Sequence, residues 1–403
     1  MDRAVRGAYP GIEAYPLEFS GSGGEFFRVW IVNVLLSVLT FGLYTPFARR
    51  RTAQYFYGHT TVADSPLEFA AQQRKMVMGF LLFAALYIAF KVAAETGQDT
   101  TVSLMLLAGA AFAPYFWGNA MRFRLNATRW RGVRLQFTAT WPEVYFASWP
   151  LFLAALAWAI AAAVIDAHVS PDMTPAQFKA AIGPSLTAIG TALLVTVGCL
   201  MRLEFNYKSL LVAKARIGGQ AGRWKPVFGD FVRIWLATVG VFLGSVLLVV
   251  VLLMAVTGGM TALLPGGPDG PRRAGLLMLL LAIALFAAAV FLLFLASGPA
   301  RAYREARIFR LVWNNTGVSH IARFKSDLRV GRYVLLRVKN IFLTLLTLGF
   351  YRPFAMVSEY RMKLDSVTLH VKGGLDQLAG QLAREEHGLG DALADAVGLD
   401  LVG

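Results

Sequence analysis

The amino-acid sequence predicts a mainly α, polytopic membrane protein. About six transmembrane helices pair as three hairpins, with two broken or re-entrant helical segments and short cytoplasmic β-strands. Three observations carry that expectation. The 403 residues are 57% hydrophobic and 16% charged, where soluble domains average about a quarter charged. The apolar residues gather into runs close to the ~20 that cross a bilayer core as a helix. The basic residues fall in alternate loops between those runs.

Eight hydrophobic segments lie near residues 26–48, 76–94, 102–118, 144–165, 182–201, 231–256, 275–297 and 333–355. The middle six are nearly free of charge and are expected to span as helices, because lipid offers no partner for an unpaired backbone group. The outer two carry one phrase written twice: LTFGLYTPFARRR at Leu39–Arg51 and LTLGFYRPFAMVS at Leu346–Ser358. Gly42 and Gly349 stand where a helix C-terminus favours a left-handed residue. Pro46 and Pro353 suit the first turn of a following helix. Each copy therefore reads helix, break, helix. In the second copy the run Asn340–Tyr351 is about a dozen residues, which favours a re-entrant segment over a span. Both copies are expected to be re-entrant, with a full span over Val29–Ala48 as the alternative for the first. Both termini then lie in the cytoplasm. The N-terminal stretch has no apolar core of the signal-peptide kind, so no cleavage is expected.

Arginines and lysines precede the first span and follow the second, fourth and sixth, which places those loops in the cytoplasm. Topology and anionic lipid account for the net charge of +15, so no nucleic acid is needed as a partner. Basic, aromatic stretches at Met121–Trp130, Glu204–Arg216 and Arg301–Trp313 read as interfacial helices lying along the headgroups. Arg49, Arg50, Arg51, Arg301, Arg304, Arg307 and Arg310 are the expected headgroup contacts. Six strand-like phrases follow the same rhythm: Ala14–Gly21, Thr60–Ala70, Thr128–Thr140, Ala215–Phe228, Asn314–Leu328 and Asp365–Val371. They suggest a cytoplasmic assembly of about six strands beneath the helices. Residues 1–372 form one membrane domain with internal repeats, and 373–403 an acidic tail.

Polar residues recur at helical spacing beside each break. Asn33, Ser37 and Thr40 share one face, and Asn340, Thr344 and Thr347 repeat the pattern. One reading is a polar path or substrate site where the two copies meet; the other is hydrogen bonding that holds the helices together. Tyr44 and Tyr351 read as headgroup-level anchors. No acidic residue stands at the centre of the six spans, as a proton- or sodium-coupled carrier would usually require. Phosphate-loop, HExxH and GxSxG patterns are absent, and the histidines are scattered without ligand spacing. Ser20–Glu25, SGSGGE, is glycine-rich before a helix, where an anion can bind, but without a Lys or a Walker pattern it reads as a tight turn with Glu25 in the first helical turn. Cys199 reads as a buried small hydrophobe. Neither an enzyme nor a cofactor or metal site is expected.

Phe19, Gly23, Gly24, Phe27, Asn33 and the run TFGLYTPFA resemble the opening signature of the YjgN-like bacterial inner-membrane proteins. Thr128, Gly132–Arg134, Phe137, Trp313–Thr316, Arg323 and Phe324 resemble later elements of that family, domain of unknown function 898. Phe47 departs from it, since the family commonly has Trp there. The resemblance reaches to about Lys372. It implies a multi-pass inner-membrane protein and brings no catalytic or binding residues. Two functions are expected from the residues: transport or handling of a small, amphiphilic or lipid molecule, or a non-transporting scaffold that binds a cytoplasmic protein partner or anionic lipid. The sequence leaves oligomeric state, substrate and energy source open.

Overall fold

The computed structural model describes residues 5–6, 12–170, 172–218, 220–263, 271–319 and 321–372, and over 256–294 mostly the backbone alone. The expected acidic tail lies outside the described residues.

The strands close on themselves. β2 (Ile12–Phe19), β3 (Thr60–Val62), β4 (Ser65–Phe69), β5 (Thr128–Trp130), β6 (Val133–Phe137), β7 (Ala215–Ile217), β8 (Gln220–Trp224), β9 (Thr316–Val318), β10 (Ala322–Ser326) and β11 (Val367–Lys372) follow one another around a ring. Every neighbouring pair is antiparallel, and β2 pairs with both β3 and β11, so a ten-strand barrel results with no open edge. A two-residue strand, β1 (Val5–Arg6), adds to the start of β2.

Ten barrel strands replace the expected six because four of the six phrases fold back on themselves. Ala63 and Asp64 join β3 to β4 with φ of 50° and 58°. Arg131 and Gly132 join β5 to β6 with φ of 51° and 81°. Gly218 and Ser319 are left-handed at the other two turns. The first three turns have two residues and the β9–β10 turn three, both short lengths that close hairpins, so a phrase read as one strand becomes a hairpin.

All the helices insert at the opposite rim. The chain leaves at Phe19 and returns at its pairing partner Thr60, and does the same at Phe69 and Thr128. Phe137 with Ala215, Trp224 with Thr316, and Ser326 with Val367 complete the set. Between these gates lie α1 (Gly23–Leu39) and α2 (Thr45–Gly58), then α3 (Gln73–Glu95) and α4 (Asp99–Asn126). The third gate carries α5 (Trp141–Ala147), α6 (Trp149–His168) and α7 (Pro175–Ala213); the fourth carries α8 (Phe228–Leu263) and α9 (Pro271–Asn314). The last carries α10 (Val330–Leu346) and α11 (Arg352–Leu364).

Among the described residues five helices are long and apolar enough to cross a membrane: α3, α4, α6, α7 and residues 228–255 of α8. The sixth expected span, 275–297, lies within α9, where few side chains are described. The separate interfacial helices do not form. α4, α7 and α9 each run unbroken from their apolar part through the basic stretch to the next strand, and in α9 the helix continues even through Pro299 at the junction.

The duplicated phrase builds the same loop twice. Phe41 and Gly42 have φ of 50° and 88°, and Leu348 and Gly349 of 50° and 96°. Gly42 N–H donates to Ser37 O and Gly349 N–H to Thr344 O, both at 2.7 Å. The Thr40 and Thr347 hydroxyls donate back to Leu36 O and Leu343 O while accepting from the N–H of Tyr44 and Tyr351. These bonds satisfy carbonyls and an amide that a helix end leaves orphaned. Pro46 and Pro353 are buried in the first turns of α2 and α11. Ser22 and Glu25 form a capping box at the start of α1, the tight turn expected from SGSGGE.

Candidate functional site

A cavity of about 1480 Å³ runs through the barrel and up between the helices on one side. Its lower part is the barrel lumen. Registered strand partners face it in a layer: Leu17 with Val62, Leu67 with Trp130, Leu135 with Ile217, and Phe324 with Leu369. Val318 stands in the same layer opposite Gly222. Gly222 has no room for a side chain, since a Cβ there would lie 2.0 Å from Val212 O. The lumen wall is therefore almost wholly apolar, a consequence of period-two alternation in short strands.

The upper part is bounded by one face each of α1, α2 and α11 and by the end of α4. On α1 the face is Trp30, Asn33, Val34, Ser37 and Val38; on α2 it includes Thr45, Ala48, Arg49 and Thr52. Both follow helical spacing. Val38 is 70% exposed, so the cavity opens at the tip of α1. Arg49, Arg124 and Arg352 line it and are exposed, and none has an acidic partner among the described residues.

The predicted site residues separate. Asn33 is 5% exposed and lines the cavity, with Ser37 half-buried beside it. Asn33 Nδ2 donates to Ala48 O at 3.4 Å, and its Oδ1 is buried without a partner among the described residues. Thr40 is used by the break. Asn340 is 1% exposed and lies off the cavity. Its Nδ2 contacts Ala355 O at 3.4 Å, Ser358 Oγ at 3.1 Å and Glu359 Oε1 at 2.9 Å. Thr344 and Thr347 also lie off the cavity, Thr347 within the second break. The two copies meet through aromatic rings instead: Phe27 is 5.8 Å from Phe354, and Trp30 is 6.5 Å from Phe350.

The arginines divide as well. Arg50 is half-buried, and Arg51 lies 5.9 Å from the Tyr44 ring centroid. Arg301, Arg307 and Arg310 are exposed on α9. Arg304 turns inward, 3.3 Å from Glu204 Oε2 and 4.7 Å from the Trp235 ring. Cys199 is buried on α7.

Sequence reasoning missed Glu359. It is 8% exposed, lines the cavity, and is held by Arg337 of α10 together with Asn340. The available signal was a lone carboxylate in the second copy, AMVSEYRMKL, where the first copy has Thr52. Lys363 is a second missed residue, bonded at 2.7 Å to Glu305. Burial pushes the Glu305 carboxyl up, but its bond to and attraction by the Lys363 ammonium, helped by Tyr333, outweigh this and hold it below the usual value.

A family model described as "Bacterial protein of unknown function (DUF898)" matches residues 14–396. The chain is similar to inner membrane protein YjgN of Escherichia coli strain K12, 21% identical over 46% of this chain and 46% of that protein. The YjgN of Salmonella typhimurium is 26% identical over 30% of this chain and 31% of that protein. The chain thus aligns with less than half the length of these curated relatives. No solved structure matches it.

Proposed function

Because this chain belongs to the DUF898 family of bacterial proteins, we propose that it is a multi-pass inner-membrane protein that takes an amphiphilic molecule from the bilayer into the barrel cavity. The single observation carrying this reading is the cavity itself. Its volume of about 1480 Å³ exceeds the roughly 300–1,000 Å³ of ordinary small-molecule pockets. On α2 the lining runs from Thr45 to Tyr57, twelve residues on, so the upper part alone is roughly 18 Å deep at ~1.5 Å per residue. A single leaflet of hydrocarbon is about 15 Å thick. A space of that depth above an apolar lumen suits a long amphiphile better than a compact polar solute.

In this reading the barrel is cytoplasmic, as the basic segments that build it require. The two helix–break–helix segments dip their apolar tips into the cytoplasmic leaflet. Phe41 is 98% and Leu348 91% exposed at those tips, an arrangement that lipid covers and water would not favour. Arg49 and Arg352 then stand near headgroup level.

The test is lipid retention. The full chain is purified into a mild detergent and its bound lipid measured by native mass spectrometry, alongside Leu67→Trp, which fills the lumen. Wild type is expected to keep a lipid that survives detergent exchange, and the variant to lose it while its melting temperature stays within a few degrees. Equal retention by both proteins, or none by either, would reject the reading.

The scaffold reading draws on a separate observation. Arg134, Arg216 and Arg323 stand exposed on the strands, alternating with the lumen residues and so on the outer face of the barrel. A wall of that charge suits an anionic membrane surface or an acidic protein partner. Triple replacement by Gln that abolished the cellular phenotype, with Leu67→Trp silent, would favour it over the cavity.

A further inference from the structure

We propose that the ligand of the cavity is an acidic amphiphile, its anionic headgroup held on the wall formed by Asn33, Ser37, Arg49 and Thr52 and its tail lowered into the barrel lumen. This deepens the amphiphile-binding reading and rests on it, adding the charge of the headgroup and the direction of the molecule.

Charge is the first argument. Two ionic pairs touch the cavity and are matched within the protein: Glu359 with Arg337, and Lys363 with Glu305. Three arginines on the lining, Arg49, Arg124 and Arg352, have no carboxylate partner among the described residues. Guanidinium groups bordering an apolar space are stabilised by an anion that forms charge-assisted hydrogen bonds with them, and phosphate matches their fork best. A neutral or cationic amphiphile would leave the charges unmatched.

The second argument is the unsatisfied oxygen of Asn33. Its amide nitrogen is committed to Ala48 O, which leaves Oδ1 as a buried acceptor beside the cavity. Arg49 follows Ala48 directly and Thr52 comes one turn later, so acceptor, cation and hydroxyl lie within about a turn of one another. A headgroup carrying both a phosphate and a hydroxyl fits this set: the phosphate on Arg49, the hydroxyl donating to Asn33 Oδ1. Leaving a buried acceptor unpaired costs about 1–3 kcal/mol.

The second copy of the phrase acts as an internal control. Aligning Asn33 with Asn340 sets Thr52 against Glu359 and Ala48 against Ala355. Glu359 accepts from Asn340 Nδ2 and closes that hairpin, and the Asn340 Oδ1, also without a partner among the described residues, lies off the cavity; at Thr52 no such carboxylate exists. The first copy is thus open where the second is filled, and it lacks the negative charge that would repel an anion. Below both, the lumen layer of Leu17, Leu67, Leu135 and Phe324 offers no polar partner. The tail goes there.

The experiment uses the full chain in mild detergent, with phosphatidylglycerol and phosphatidylcholine of identical chains as probes and glycerol 3-phosphate as the headgroup without a tail. Native mass spectrometry reads retention. Phosphatidylglycerol is expected to be retained about tenfold more strongly, the scale of one charge-assisted hydrogen bond. Arg49→Gln should erase the preference while Arg49→Lys keeps most of it. Leu67→Trp should lower retention of both lipids, and glycerol 3-phosphate should not compete. Equal retention of the two lipids by wild type overturns the acidic headgroup and leaves amphiphile binding standing. Competition by glycerol 3-phosphate at lipid-like concentrations overturns the tail placement. Retention of neither lipid overturns this inference and the reading beneath it together.

Discussion

Asn33 and Asn340 make the same hydrogen bond in two different surroundings. Each donates Nδ2 to the carbonyl fifteen residues ahead, Ala48 and Ala355, at 3.4 Å in both cases. Each bond ties the two helices of a broken segment together across the break. Asn340 is then sealed by Ser358 and Glu359, whereas Asn33 borders an open cavity. Both amide oxygens are buried without a partner among the described residues, but only Asn33 borders the cavity.

That contrast predicts unequal phenotypes. Asn340→Leu removes a donor from the buried Glu359 carboxylate and should destabilise the protein by about 2–3 kcal/mol. Asn33→Leu loses one long bond and should cost less than about 1 kcal/mol. Melting temperatures in detergent check this; equal losses in the two variants would show that Asn33 is as structural as its counterpart.

Gly222 is expected to tolerate no side chain. A Cβ there meets the Val212 carbonyl oxygen at 2.0 Å and its carbonyl carbon at 3.1 Å, backbone atoms that cannot swing aside. Gly222→Ala should cost about 3 kcal/mol by forcing the end of α7 away from β8. The fraction of monodisperse protein after detergent extraction and its unfolding midpoint measure the effect, and a wild-type midpoint would contradict the close approach.

The β3–β4 turn carries removable strain. Asp64 has φ of 58°, a conformation that disfavours most side chains, and its carboxylate makes no hydrogen bond among the described residues. Asp64→Gly should stabilise the barrel by roughly 0.5–1 kcal/mol. Thermal unfolding reads it directly, and a lowered midpoint would mean the carboxylate matters in some other way.

The Glu305–Lys363 pair sets a pH dependence. The folded-state pKa of Glu305 lies below its ordinary value of 4.5, so its contribution is fully present above that pH and is lost as pH falls through the lowered folded value. Lys363→Met removes the chief lowering influence and leaves the burial that raises the pKa. The fall in melting temperature below pH 4.5 should then shrink relative to wild type. An unchanged acid limb would assign that loss of stability to other carboxylates.

Much of the helical layer was legible, because its signals are local. Gly42 and Pro46, with Gly349 and Pro353, mark a helix stop and a helix start whatever the rest of the chain does, and both breaks stand where those residues place them. The strand-like phrases were legible as extended segments, but not as hairpins. Gly132 and Gly218 announce turns and Asp64 is a weaker signal; Ala63, Arg131 and Ser319 give none, since few residues of those types are left-handed. The basic stretch Arg301–Trp313 shows the reverse error. Arginine spacing alone does not distinguish a helix lying on lipid from the end of a longer one, and Arg304 is drawn inward by Glu204, which lies 100 residues away in the chain.

Composition, run length and the alternation of basic loops by themselves determined a chain of apolar helices with its charged segments gathered on one side, for these follow from solvation and need no partner. Only the tertiary structure decided that the extended phrases close into a ten-strand barrel, that its lumen is lined by apolar side chains and joins one cavity, and that Asn33 borders the cavity while Asn340 does not. The physical reason is the same in each case. Ring closure joins β2 to β11 across nearly the whole chain, and which face of a strand or helix meets a void is set by pairing partners that no local pattern contains.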